Sequence, residues 1–164
     1  SLTRARHGAI AGFTLVEILV ALAIVAIASA AAFLAWRGGD AGALRRDAER
    51  FAGALEYAAQ RAQWRHEDLG VSVDAGGYRF WRRDAERDAW VPLAGDDVLV
   101  ARAWPPGSEL VGAARAGRAL PATALVALRA DGRNDPLTVV LGAGDARWRV
   151  DADPLNHVSV TALP

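Results

Sequence analysis

Gly12-Phe13-Thr14-Leu15-Val16-Glu17, followed by ILVALAIVAIASAAAFLAW over residues 18–36, decides how the rest of the chain is organised. No residue from 18 to 36 is charged. At about 1.5 Å per residue a helix of this run reaches roughly 28 Å, close to the hydrocarbon thickness of a bilayer. A secretory signal peptide would have a shorter apolar stretch of about 7–15 residues, with a small-residue cleavage site beyond it. Here the run passes through the small residues 29–32 and continues over Phe33, Leu34 and Trp36. Residues 13–36 are therefore expected to form one membrane span. The preceding SLTRARHGAIAG, residues 1–12, carries Arg4, Arg6 and His7 without an acid, the layout of a targeting leader.

Glu17 is the exception to the apolar pattern. A carboxylate costs about 2.5–3.5 kcal/mol or more at the centre of a bilayer, so it needs a partner or a position near the surface. The arrangement from Gly12 to Glu17 before a long apolar helix resembles the prepilin processing motif. That resemblance implies cleavage between Gly12 and Phe13 by a membrane peptidase, N-methylation of Phe13, and a role for Glu17 in setting subunit register during assembly. The chemistry is self-consistent. Cleavage creates a cationic amine at Phe13, and a carboxylate one helical turn later neutralises such a charge where the dielectric constant is low. The competing account has Glu17 snorkelling to the membrane surface beside Arg4 and Arg6.

Along the same run, Ala21, Ala23, Ala26, Ala28, Ala30, Ala31, Ala32 and Ala35 give small faces on which another helix packs closely. Trp36 is placed as an interfacial anchor. Gly38, Gly39 and Gly42 lie just beyond it, and each lowers helix propensity by about 1 kcal/mol, so a weak point is expected there.

From Leu44 the apolar residues Leu44, Ala48, Phe51, Ala52, Leu55, Ala58, Ala59 and Ala62 recur at helical spacing, with charges between them. This predicts an amphipathic continuation over residues 37–66, with Asp47 and Arg50, and Ala54 and Ala58, at surface spacings. After His66 the period shortens. Strands are predicted at 69–73, 78–82, 89–93, 98–103, 124–130, 137–141, 147–150 and 158–161, with hairpin turns at 74–77 and 131–135. The stretch 104–121, with three prolines, is expected to be a long loop. The fold class is α+β: a long N-terminal helix, half transmembrane and half amphipathic, packed on an antiparallel β-sheet head at 67–164 made of one sheet or two small ones.

The order of motifs downstream carries a finer resemblance. Tyr57-Ala58 and Arg61-Ala62 lead into Gly70-Val71-Ser72-Val73, then Tyr78-Arg79-Phe80, Trp90-Val91-Pro92-Leu93 and Arg102 with Pro105-Pro106-Gly107. This order is similar to the H-type minor pseudopilins of type II secretion systems. The resemblance implies a structural, non-enzymatic subunit of a secretion pseudopilus, assisting export of folded proteins across the outer membrane. It implies a single-pass protein of the bacterial inner membrane with its head in the periplasm. Its partners would be other minor pseudopilins, the major pseudopilin, the prepilin peptidase, inner-membrane lipid and secreted proteins. The alternatives are a minor pilin of a type IV pilus, serving assembly or DNA uptake, and an unrelated single-span anchored binding domain.

Composition narrows the chemistry. The 19 basic residues, all arginine, balance 19 acidic ones, so no net field draws the chain to nucleic acid. Arg79, Arg82, Arg83 and Arg87 cluster, yet Asp84, Glu86 and Asp88 are interleaved with them. There is no cysteine. His7, His66 and His157 lack metal-ligand spacing, and the acidic pairs Asp96-Asp97, Asp131/Asp135 and Asp151/Asp153 lack the pattern of an EF-hand loop, so solvated turns are their default role, with calcium binding the alternative. No phosphate loop or nucleophile context is present. No catalytic residue, cofactor or metal site is expected. Tyr78, Phe80, Trp81 and Trp90 are expected to pack in the core and at sheet edges.

Overall fold

The computed structural model describes residues 15–122 and 124–164, and over residues 33–41 the helical backbone alone. Two compact units divide at Trp36/Arg37. The first consists, in its described part, of the beginning of helix α1, which runs Leu15–Arg65. The second, residues 37–164, holds the rest of α1 and ten strands: β1 (Leu69–Asp74), β2 (Gly77–Asp84), β3 (Ala89–Pro92), β4 (Arg102–Ala103), β5 (Ser108–Arg115), β6 (Arg118–Ala119), β7 (Leu125–Leu128), β8 (Leu137–Ala143), β9 (Ala146–Ala152) and β10 (Val158–Leu163). Gly38, Gly39 and Gly42 are all helical.

The amphipathic stripe is buried as its spacing predicts. Leu44, Ala48, Phe51, Ala58 and Ala62 are fully buried, and they share one core with Leu69, Val71 and Phe80 from one sheet and Leu137, Val139, Leu141 and Val150 from another. Ala54 and Ala58 do not face water. Both belong to this buried stripe, which is wider than the surface spacing suggested. The helix closes with a Schellman motif: Glu67 N–H donates to the Ala62 carbonyl (3.1 Å) and His66 N–H to Gln63 (3.4 Å). His66 takes the left-handed conformation (φ 51°) that glycine usually supplies.

Both sheets are antiparallel. The first has the order β3-β2-β1-β7, with β4 also on β2; the second has the order β10-β9-β8-β5-β6. In the β1–β2 hairpin Asp74 pairs with Gly77, and the Asp74 carboxylate accepts the N–H groups of Gly76 and Gly77, the turn predicted at 74–77.

Three expectations fail, each for a local reason. Residues 98–103 do not form a six-residue strand. The Asp96 carboxylate accepts the N–H groups of Val98 and Leu99 (both 2.8 Å), and this bend delays pairing until β4. The stretch 104–121 is not a loop. It contains β5, which pairs with β8 through a bulge between Leu110 and Gly112, and then turns through Ala116-Gly117 into β6. The turn at 131–135 does not close a hairpin, because β7 belongs to the first sheet and β8 to the second. It carries the chain between sheets, pinned by buried Asn134. That side chain accepts from Arg129 N–H (2.7 Å) and donates to the Asn156 side-chain oxygen (2.5 Å).

Candidate assembly surfaces

In the first unit, residues Leu15–Ala32 have a mean hydropathy of 2.5, and none of that stretch is buried. Leu15 and Ile27 expose 76% and 71% of their surface, and Leu19, Leu22, Ile24 and Val25 are open as well. An apolar surface of this extent is not stable against water, so it demands a bilayer or other helices around it. Length and composition alone define this as a candidate span.

Glu17 lies in the first turn of α1, exposed among these apolar side chains. A carboxylate there is favoured by the positive end of the helix dipole. Gly12 and Phe13, the other two predicted site residues, lie outside the described residues, as does the whole 1–12 leader. The small faces at Ala21, Ala23, Ala26, Ala28 and Ala30–32 are exposed on the same helix, whereas the side chains of Ala35 and Trp36 lie outside the description.

In the head, the most buried ion pair among the described residues joins Arg61 and Asp96. Arg61 donates to Glu67 (2.7 Å) and to Asp96, and the side chains of Arg61, Glu67 and Asp96 are 11%, 20% and 9% exposed. Burial works against both charges of the Arg61–Asp96 pair. For Asp96 it is outweighed by the N–H groups of Leu99 and Val98 together with the guanidinium, leaving the carboxyl below its ordinary pKa. For Arg61 burial is outweighed by Glu67 and Asp96, and the pKa is raised. This clasp fastens the β3–β4 connection to the end of α1. The sequence carried one hint of it: Arg61 stands between Ala58 and Ala62 on the edge of the apolar stripe.

The other acidic turns are engaged internally. Asp131 is held low by its bond from Arg129, with Arg133 N–H adding to it. Asp153 is held low first by the N–H of His157. Among the described residues no three His, Asp or Glu side chains converge as a metal site. Two of the four arginines of the β2–β3 hairpin are paired in place, Arg83 with Asp88 and Arg87 with Asp84. Tyr78 and Phe80 are core residues, while Trp81 and Trp90 are half-buried on the opposite face of their sheet.

Comparison with known proteins agrees with this architecture. Residues 9–33 match the prokaryotic N-terminal methylation motif, and residues 47–155 match the family described as type II transport protein GspH. The type II secretion system protein H of Aeromonas hydrophila is 30% identical over 90 residues, 54% of this chain. The match spans 49% of that relative, about half its length. The fold is shared with the minor pseudopilin EpsH of Vibrio cholerae (TM-score 0.63, 18% identity, 75% of this chain and 96% of the other). It is also shared with GspH of E. coli in solution (TM-score 0.58, 20% identity, 74% and 89%). With the GspH match extending over more than half of its residues, the chain belongs to the type II transport protein GspH family.

Proposed function

We propose that this chain is a minor pseudopilin, a structural and non-enzymatic subunit of a type II secretion pseudopilus that assists export of folded proteins across the outer membrane. One observation carries the proposal: an uncovered apolar helix with a single carboxylate in its first turn precedes a head of the GspH family. In this account residues 1–12 are removed between Gly12 and Phe13, and the Phe13 amine is methylated. Residues 13–36 anchor the protein in the inner membrane, and the head, 67–164, stands in the periplasm. Glu17 neutralises the Phe13 amine of its own or a neighbouring subunit as helices come together. The partners are the major pseudopilin, other minor pseudopilins, the prepilin peptidase and inner-membrane lipid, with secreted proteins as the cargo.

The deciding experiment is coexpression with a prepilin peptidase and mass spectrometry of the membrane-extracted chain. The expected product starts at Phe13 and carries one added methyl group. A chain that keeps residues 1–12 beside an active peptidase overturns the proposal. Copurification with major and minor pseudopilins, against pilins of a type IV pilus, then tests the choice of machine.

A further inference from the structure

Strand β10 pairs with β9 on one side and, among the described residues, with no strand on the other. Two bonds fix the direction of its free groups. Asp153 N–H donates to the His157 carbonyl (3.0 Å), one step before the Ala152–Val158 pair. Antiparallel pairing alternates, so Ser159, Thr161 and Leu163 turn their N–H and C=O groups to β9, while Val158, Val160 and Ala162 turn theirs outward. The Val158 N–H agrees with this phase, since it donates to the Glu56 carboxylate on α1 (3.1 Å). Among the described residues, the N–H and C=O groups of Val160 and Ala162 have no partner.

The other edges are blunted. β3 ends at Pro92, β4 and β6 have two residues each, β7 has four, and β5 carries Glu109 and the bulge between Leu110 and Gly112. β10 has none of these devices: Val158-Ser159-Val160-Thr161-Ala162-Leu163 holds six residues without a charge, a glycine, a proline or a bulge. An edge of this kind accepts an added strand. Its two faces differ, with Val158 and Val160 packed on the core and Ser159 and Thr161 exposed on the other side. Glu56 marks one end. Its carboxylate stands where a carbonyl of an added strand would meet Val158 N–H, and among the described residues no cation pairs with it.

We infer that the outer edge of β10 docks an extended segment of a partner protein, uncharged where it lies along Val160 and Ala162 and carrying a lysine or arginine beside Glu56. Backbone bonds to Val160 and Ala162 supply the pairing, and the cation answers the acid at the end of the site. A second copy of β10 lacks that complement. Paired antiparallel about Val160, it would bring Ala162 and Leu163 to Glu56, and neither is a cation. The inference does not require the pseudopilus assignment.

The test uses the full chain in detergent and follows amide hydrogen exchange at Val160 and Ala162 by NMR. The probe is a synthetic peptide of alternating threonine and valine ending in lysine, the end that antiparallel pairing brings to Glu56. A glutamate-ended counterpart and a lysine-ended version N-methylated at its valines are the comparisons. The lysine peptide is expected to slow exchange at both amides saturably, and the N-methylated one to leave it unchanged. The glutamate peptide should bind about tenfold or more weakly, the loss expected for a charge-assisted contact. Glu56→Gln, whose side-chain oxygen can still accept from Val158 N–H, should bring the lysine and glutamate peptides to equal affinity. Ala162→Pro removes one outward N–H and should weaken binding about tenfold, while unchanged protection of Arg149 N–H, which faces Thr161, shows that the hairpin is folded. The inference is overturned by no protection at millimolar peptide, by equal binding of the lysine and glutamate peptides to the natural chain, or by protection from the N-methylated peptide. Exchange at these amides that slows with chain concentration alone also overturns it, because a second copy is then the occupant.

Discussion

Arg61 and Asp96, 35 residues apart in the chain, are hydrogen-bonded with both side chains almost withdrawn from water. Removing one member of such a pair leaves the other charge buried. Asp96→Asn is expected to lower stability by about 2–3 kcal/mol, since Glu67 still partners Arg61. Because the Asp96 carboxyl is depressed in the folded state, its contribution is present above the unfolded Asp pKa of about 3.9 and is lost as pH falls through the lower folded value. Urea unfolding of the natural chain across that acid range should show the decline, and Asp96→Asn should flatten it.

Phe51 ties α1 to the first sheet. Its ring is fully buried, 4.7 Å from that of Tyr78 and 5.7 Å, edge-on, from that of Trp104. Phe51→Ala removes a buried aromatic and leaves a cavity between helix and sheet, for an expected loss of about 3–5 kcal/mol. Near-ultraviolet circular dichroism should also weaken, because two of the three rings lose their fixed surroundings.

Glycine offers a paired test of sign. Gly53 is an exposed helical residue with nothing within 4 Å of an added Cβ, so Gly53→Ala should stabilise the head by about 0.5–1 kcal/mol. Gly77→Ala should do the reverse, because the new methyl group meets the Arg102 backbone. Amide exchange is the discriminating measurement: the N–H of Trp104, bonded to the Gly76 carbonyl at 3.2 Å, should lose protection in Gly77→Ala and keep it in Gly53→Ala.

What was legible in the sequence followed from periodicity. Leu44 to Ala62 kept one helical stripe, and Leu69, Val71 and Val73 kept a two-residue alternation, so the helix and the first hairpin could be placed from those residues. The second sheet was harder because its evidence is non-local. Gly112 at the bulge breaks the alternation of β5, and its inward residues Leu110 and Ala113 are explained only by β8 about thirty positions later. The Arg61–Asp96 clasp was nearly hidden for the same reason: apart from the place of Arg61 at the edge of the apolar stripe, each residue taken singly looks like a surface charge. Glu17 was conspicuous because a lone acid violates a local apolar pattern.

The β5–β6 turn explains one omission and supplies a prediction. Arg115 pairs with Arg118, and Ala116 and Gly117 between them both have positive φ (48° and 76°), the geometry of a two-residue type I′ hairpin. An alanine in a left-handed conformation is strained by about 1–2 kcal/mol, and the familiar signal of this turn is Asn-Gly. Ala116→Asn should therefore stabilise the head by about 0.5–1 kcal/mol, visible as a raised urea midpoint with an unchanged slope.

Glu17 separates anchoring from assembly. Insertion is driven by the apolar run, whose large side chains are exposed throughout Leu15–Ala32, and a carboxylate within that run opposes insertion. Glu17→Ala should consequently leave the chain in the membrane fraction, resistant to alkaline extraction. Assembly is different if the carboxylate answers the Phe13 amine. At 4 Å and an effective dielectric constant near 20 such a pair attracts by about 4 kcal/mol, and losing even about 1.4 kcal/mol of that lowers an association constant tenfold. Cross-linked complexes with partner subunits should fall at least that far, and Glu17→Gln, which keeps the shape without the charge, should fall with it. Full recovery of complexes from both variants would show that assembly draws on packing of the apolar helix alone.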